Sequence, residues 1–112
     1  MDKLADYACI ITNLLQAYAA NPPQNAPQLR QQVLADREAH HYQLLSIGWK
    51  DDTFVFRVIF HFDIIEGKVW LQRNSSDILI ADELVEAGIP REDIVLGFQP
   101  DYVRPHTGFA VA

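Results

Sequence analysis

Along residues 53–74 (TFVFRVIFHFDIIEGKVWLQRN) apolar and mixed positions alternate, the period of an extended strand with one face on a core. Phe54, Phe56, Val58, Phe60 and Phe62 form one row of nearly pure hydrocarbon, and Val55, Arg57, Ile59, His61 and Asp63 form the mixed row. Glu66-Gly67 suits a two-residue hairpin turn, because glycine takes positive φ without steric penalty. That turn sets Ile64 opposite Val69 and Phe62 opposite Leu71 on the core face. On the reverse face Asp63 meets Trp70 and His61 meets Gln72. A one-residue slip would put phenylalanines beside Trp70 and Gln72, so the pattern selects the register.

Upstream, Leu4, Tyr7, Ala8, Ile11, Leu14, Leu15 and Tyr18 recur at three- and four-residue steps, predicting a helix over 3–19 with Asp2 as its cap. Cys9 falls on it as a small, partly buried hydrophobe. Asn21-Pro22-Pro23 stops it, and 21–28 reads as a polar, Pro-rich connection. Residues 29–38 supply a first strand, with a helical reading also open, and 42–50 a second. A tight turn at Asp51-Asp52 pairs Trp49 with Phe54, Ile47 with Phe56 and Leu45 with Val58, and sets Tyr42 beside His61 and Ser46 beside Arg57. The apolar face then continues unbroken through the hairpin, and Phe56→Ala is expected to cost about 3–5 kcal/mol. Ser75-Ser76-Asp77 announces a second helix over 76–87, which Gly88 ends. Residues 90–93 read as one further helical turn, residues 94–98 as strand or helix extension, and the apolar terminus as docked. The expectation is an α+β fold: an N-terminal helix, a four-stranded antiparallel meander sheet, and a helix and short C-terminal segment packed on one sheet face.

The chain's 112 residues, nearly half of them apolar, suffice for a single domain over 1–112 with one core. One cysteine excludes an internal disulfide, and no secretory signal or membrane-length apolar run occurs, so a cytoplasmic, membrane-free protein is expected. The net charge of −6 is uneven: residues 75–104 carry seven carboxylates (Asp77, Asp82, Glu83, Glu86, Glu92, Asp93, Asp101) against Arg91 and Arg104. A phosphate backbone is gripped by clustered cations, and this sequence has no such cluster, so any DNA contact is expected to be indirect. An acidic surface suits solubility or a basic protein partner.

Candidate chemistry is sparse. His61 and Asp63 share the reverse face, a conceivable metal pair, but catalytic zinc usually takes three protein ligands and no third is implied, so neither metal nor cofactor is expected. His40 and His41 are adjacent on an extended segment and face opposite ways. No nucleophile, P-loop or dinucleotide motif occurs. Arg57, Lys68, Trp70 and Arg73 interleave base and aromatic but do not share one face, Arg73 being predicted toward Phe60.

The segments HYQLLSIGW (41–49), HFDIIEGKVWLQRNSSD (61–77), IADELVEAGIPREDIVLGF (80–98) and RPHTGFAVA (104–112), with the leading DKLADYACIITNLLQAYA (2–19), resemble the XisI family, the excision controlling factor of the fdxN element. The motif positions that match are His41, Tyr42, Gln43, Gly48, Trp49, His61, Asp63, Gly67, Trp70, Gln72, Asn74, Glu83, Leu84, Arg104, Thr107 and Phe109. Ser75-Ser76 and Phe62 depart slightly from the family pattern. The resemblance implies a role in controlling programmed removal of a cyanobacterial DNA element by site-specific recombination, with a separate recombinase and a companion, XisH; the acidic, motif-poor sequence makes a non-enzymatic accessory the expected form of that role. It carries over no catalytic residues. Three readings follow: contact with an XisH-like companion, direct DNA binding, or a small metal-dependent enzyme using His61 and Asp63. The candidate interaction surface is Tyr42, His61, Asp63, Trp70 and Gln72, with the acidic shoulder Asp82, Glu83 and Glu86. A homodimer is also expected from the half-apolar reverse face.

Overall fold

The computed structural model describes residues 2–21 and 28–112. Helix α1 (Lys3–Ala20) starts where Asp2 Oδ1 accepts from the Leu4 amide at 3.0 Å. Its expected proline stop, and nearly all of the polar connection, lie outside the described residues. Strands β1 (Arg30–Asp36), β2 (His41–Lys50), β3 (Thr53–Ile65) and β4 (Lys68–Asn74) form the antiparallel meander the alternation predicts. Glu66 (φ 51°) and Gly67 (φ 80°) make the β3–β4 hairpin turn with both central residues at positive φ.

The sheet has a fifth strand. Helix α2 (Ile80–Glu86) and a short 3₁₀ turn (Arg91–Asp93) carry the chain over to β5 (Ile94–Leu96), which pairs in parallel with β4. The sheet is therefore mixed. A helical crossover brings the chain back in the same direction, so the fifth pairing is parallel. Helix α2 begins four residues later than the sequence predicts, because side chains hold the preceding turn. Asn74 Oδ1 accepts from the Ser76 amide (3.0 Å) and hydroxyl (2.7 Å), and Ser76 Oγ from the Ile78 amide (3.1 Å).

Both helices cover one sheet face. Ile11 and Leu15 of α1 and Ile80 and Leu84 of α2 meet Tyr42, Leu44, Phe60, Phe62, Val69 and Leu71 in one buried cluster. The Tyr18 hydroxyl donates to Glu83 at 2.6 Å, and Lys3 pairs with Asp93 at 2.9 Å, tying α1 to the crossover. Cys9, expected partly buried, is exposed on the outer side of α1.

The unbroken phenylalanine row is overturned. Leu44 opposes Phe60, yet Leu45 opposes Val58, so Ile59 is an extra residue on β3. Such a bulge inverts the side-chain alternation beyond it. Phe60 and Phe62 are fully buried, whereas Phe54 and Phe56 are 52% and 66% exposed on the reverse face. Ser75 secures the bulge: its amide donates to the Ile59 carbonyl (2.9 Å) and its hydroxyl to the Val58 carbonyl (2.7 Å).

Candidate functional site

The reverse face divides into three zones. At the β4–β5 end the C-terminal segment docks along the outer edge of β5, where the Ala110 amide donates to the Ile94 carbonyl at 2.8 Å, and lays the Arg104 guanidinium 5.1 Å over the Trp70 ring. This is the expected docked terminus. At the far end of the β2–β3 hairpin, Trp49, Phe54 and Phe56 are open to solvent, with Leu34 beside the polar zone. Between these zones runs a polar strip on β2, β3 and β4.

The strip is built by cross-strand pairing. His61 and Asp63, two residues apart on β3, share a face; His41 of β2 lies directly opposite Asp63, and Gln43 opposite His61. Asp63 Oδ1 lies 2.7 Å from both His41 Nδ1 and His61 Nε2. His61 Nδ1 lies 2.9 Å from Gln43 Oε1, and Gln72 Nε2 donates to Asp63 Oδ2 at 3.3 Å. Burial by itself would raise the Asp63 carboxyl; the hydrogen bonds from His41 and His61 outweigh it and hold Asp63 below its ordinary range. The same bond to Asp63 raises the exposed His41. A cavity of about 460 Å³, lined by Leu34, Ala35, Asp36, His41, Gln43 and His61, opens beside the strip.

A family model described as XisI protein matches residues 1–111. The chain belongs to the XisI family. A solved XisI-like protein from Anabaena variabilis is 41% identical, with a TM-score of 0.86 over 97% of this chain and 99% of its own. A second solved structure from the same organism, described as fdxN element excision controlling factor XisI, is 32% identical, with a TM-score of 0.80 over 99% of this chain and all of its own. No curated protein matches the sequence.

Of the XisI motif positions, His41, Gln43, His61, Asp63 and Gln72 meet in the polar strip. Tyr42 does not. The Ile59 bulge moves its partner from His61 to Phe62, so Tyr42 is wholly buried on the helix face, its hydroxyl 3.0 Å from His40 Nδ1. A second irregularity, at Gln72, sets His61 opposite Arg73 rather than Gln72. Arg73 consequently pairs with His61, not Phe60, while Gln72 still reaches the Asp63 carboxylate.

Trp70 lies under Arg104. On the acidic shoulder Glu83 accepts from Tyr18, Asp82 lies 3.8 Å from Arg91, and Glu86 is exposed. The third residue that sequence reasoning did not supply for the His61/Asp63 pair is His41. Its signal was its place opposite Asp63, which an unbulged register hides by one position.

Proposed function

We propose that this XisI-family chain acts as a non-enzymatic accessory in the excision of a DNA element, and that it works by protein–protein contact with an XisH-like companion. The observation that carries the reading is the open hairpin zone, where Trp49 is 58% and Phe56 66% exposed. Large aromatic side chains left in water beside a polar strip are the composition of an interface core and rim. The chain's charge of −6 favours a partner with a basic surface. Direct reading of DNA has less support. Arg57 is engaged with the Ser75 carbonyl at 3.2 Å, Lys68 with the terminal residue Ala112, and Arg73 stands apart from both, so these cations form no phosphate-gripping track.

A homodimer is the second reading, favoured by a different observation. β4 pairs with β3 only from Phe60 onward, so among the described residues no strand lies beside the far edge of β3 over residues 53–58. An unpaired edge flanked by Phe54 and Phe56 can be extended by the same edge of a second copy.

Co-expression with the XisH-like companion tests the first reading. A complex is expected to co-purify and to lose affinity when Phe56 is replaced by serine. Absence of any complex at micromolar concentration and low salt would remove it. Light scattering of the chain alone decides whether the second copy takes the same zone.

A further inference from the structure

Three contacts in the polar strip call on histidine N–H groups, and a neutral histidine pair supplies only two. His61 Nδ1 faces the Gln43 carbonyl oxygen at 2.9 Å, and its Nε2 faces Asp63 Oδ1 at 2.7 Å. A neutral imidazole carries one N–H. If Nδ1 donates to Gln43, the Nε2 lone pair points at a carboxylate oxygen. His41 Nδ1 points at the same oxygen, also at 2.7 Å. Three electron-rich atoms thus converge, and a positive guest between them completes the arrangement: added protons, or a metal ion.

We infer that His41, His61 and Asp63 form a binding site for a divalent transition-metal ion such as Zn²⁺ or Co²⁺. Their ligand atoms all lie within 4.8 Å of one another. Two imidazoles and a carboxylate are the donor set that borderline metals of this class favour. A tetrahedral ion about 2.0 Å from each ligand spaces ligand atoms about 3.3 Å apart. The two histidine–Asp63 spacings, each 2.7 Å, need open by only about half an ångström to reach it.

Two further features match a metal centre. Gln43 Oε1 lies 2.9 Å from His61 Nδ1, and the tautomer with its one N–H directed there leaves Nε2 free to ligate. Gln72 holds the other oxygen of Asp63 at 3.3 Å, aiming Oδ1 inward. Supporting hydrogen bonds of this kind orient the ligands of protein metal sites. All five residues sit on paired strands rather than on a loop, so the geometry is set by the sheet. The adjacent cavity gives the ion access from solvent and leaves a coordination position open to water or to a group of a bound partner.

The test is titration of Co²⁺ into chelator-treated, desalted full-length chain, read by visible absorption. Bands that saturate near one ion per chain, and that Zn²⁺ abolishes, are expected. His41→Ala alters an exposed side chain and leaves the fold intact by circular dichroism; it should weaken Co²⁺ binding at least about tenfold, as should Gln43→Leu. His61→Ala should abolish the bands. His106→Ala, remote in sequence and outside the cluster, should change nothing. No saturable bands at hundred-micromolar Co²⁺ would overturn the site. So would native affinity in His41→Ala and His61→Ala, or a loss in His106→Ala equal to that in His41→Ala. Thermal unfolding supplies a second readout: Zn²⁺ should raise the midpoint of the native chain and not that of His41→Ala, and equal rises in both would also overturn the assignment.

Discussion

Phe56 and Phe60 lie on one strand, both at even positions, and face opposite sides of the sheet: Phe60 is fully buried under the helices and Phe56 is 66% exposed. The single extra residue Ile59 between them separates a core side chain from a surface one. It also decides which residues are free to meet another molecule.

Replacement at the two sites should therefore differ sharply. Phe60→Ala should lower stability by about 3–5 kcal/mol, as for a fully buried aromatic. Phe56→Ala should change it by no more than about 0.5 kcal/mol. Urea unfolding midpoints check both, and equal losses would mean that the phenylalanine row is unbroken.

Association should show the reverse ranking. Paired Trp49→Ser and Phe56→Ser substitutions should weaken binding to a companion chain, or to a second copy, by at least about tenfold, since exposed aromatics supply most interface energy. The unfolding midpoint should barely move. Unchanged affinity measured by calorimetry would take the hairpin zone out of the interface.

Trp70 belongs with the core in this respect. Arg104 covers its ring and β5 pairs alongside it. Trp70→Ala should cost about 2 kcal/mol by loosening the C-terminal segment. Hydrogen exchange should quicken at the Ala110 amide, which donates to the Ile94 carbonyl. A loss of association without a loss of stability would contradict this placement.

The pH dependence of stability has two limbs with assigned groups. Burial would raise Asp93, but the Tyr7 hydroxyl and Lys3 outweigh it and hold its carboxyl below the usual range. That contribution is complete above the ordinary carboxylate value of about 3.9 and is lost as pH falls below it. On the alkaline side, burial and then Glu83 push the Tyr18 hydroxyl up to about 12. Above about pH 10 the unfolded chain releases a proton that the folded chain keeps, so stability declines from there toward about 12. Asp93→Asn should reduce the acid limb, to which Asp63 also contributes, and Tyr18→Phe the alkaline limb, to which Tyr7 also contributes. Unfolding midpoints across pH check each, and unchanged limbs would reassign the titrating groups.

Gly48 has φ +146°, and a Cβ there would lie 2.7 Å from the Gln28 carbonyl oxygen. Backbone meets backbone, so neither side can swing away. Gly48→Ala should cost about 1–3 kcal/mol in denaturant unfolding. An unchanged midpoint would mean that the approach of residue 28 is not constrained.

The sequence showed four strands to within two residues at either end, the turns at Asp51-Asp52 and Glu66-Gly67 and the cap at Asp2, because each rests on short-range chemistry. It left β5 ambiguous. Three residues, Ile94–Leu96, carry too short a pattern to separate strand from helix, and their pairing depends on β4. The polar strip was half legible: His61 and Asp63 share a face by alternation alone, whereas His41 enters only across the strand gap.

What the chain's own letters determined is local: period, turn, cap, charge and family membership. What only the tertiary structure decided is sidedness beyond Ile59, and with it the burial of Tyr42, the exposure of Phe54 and Phe56, and the meeting of His41 with Asp63. The reason is physical. Alternation assumes an even pleat, and a single extra residue leaves no mark in the pattern of β3. Ser75, well downstream in sequence, holds the Val58 and Ile59 carbonyls in the bulged form, and that contact exists only once β3 and β4 have paired.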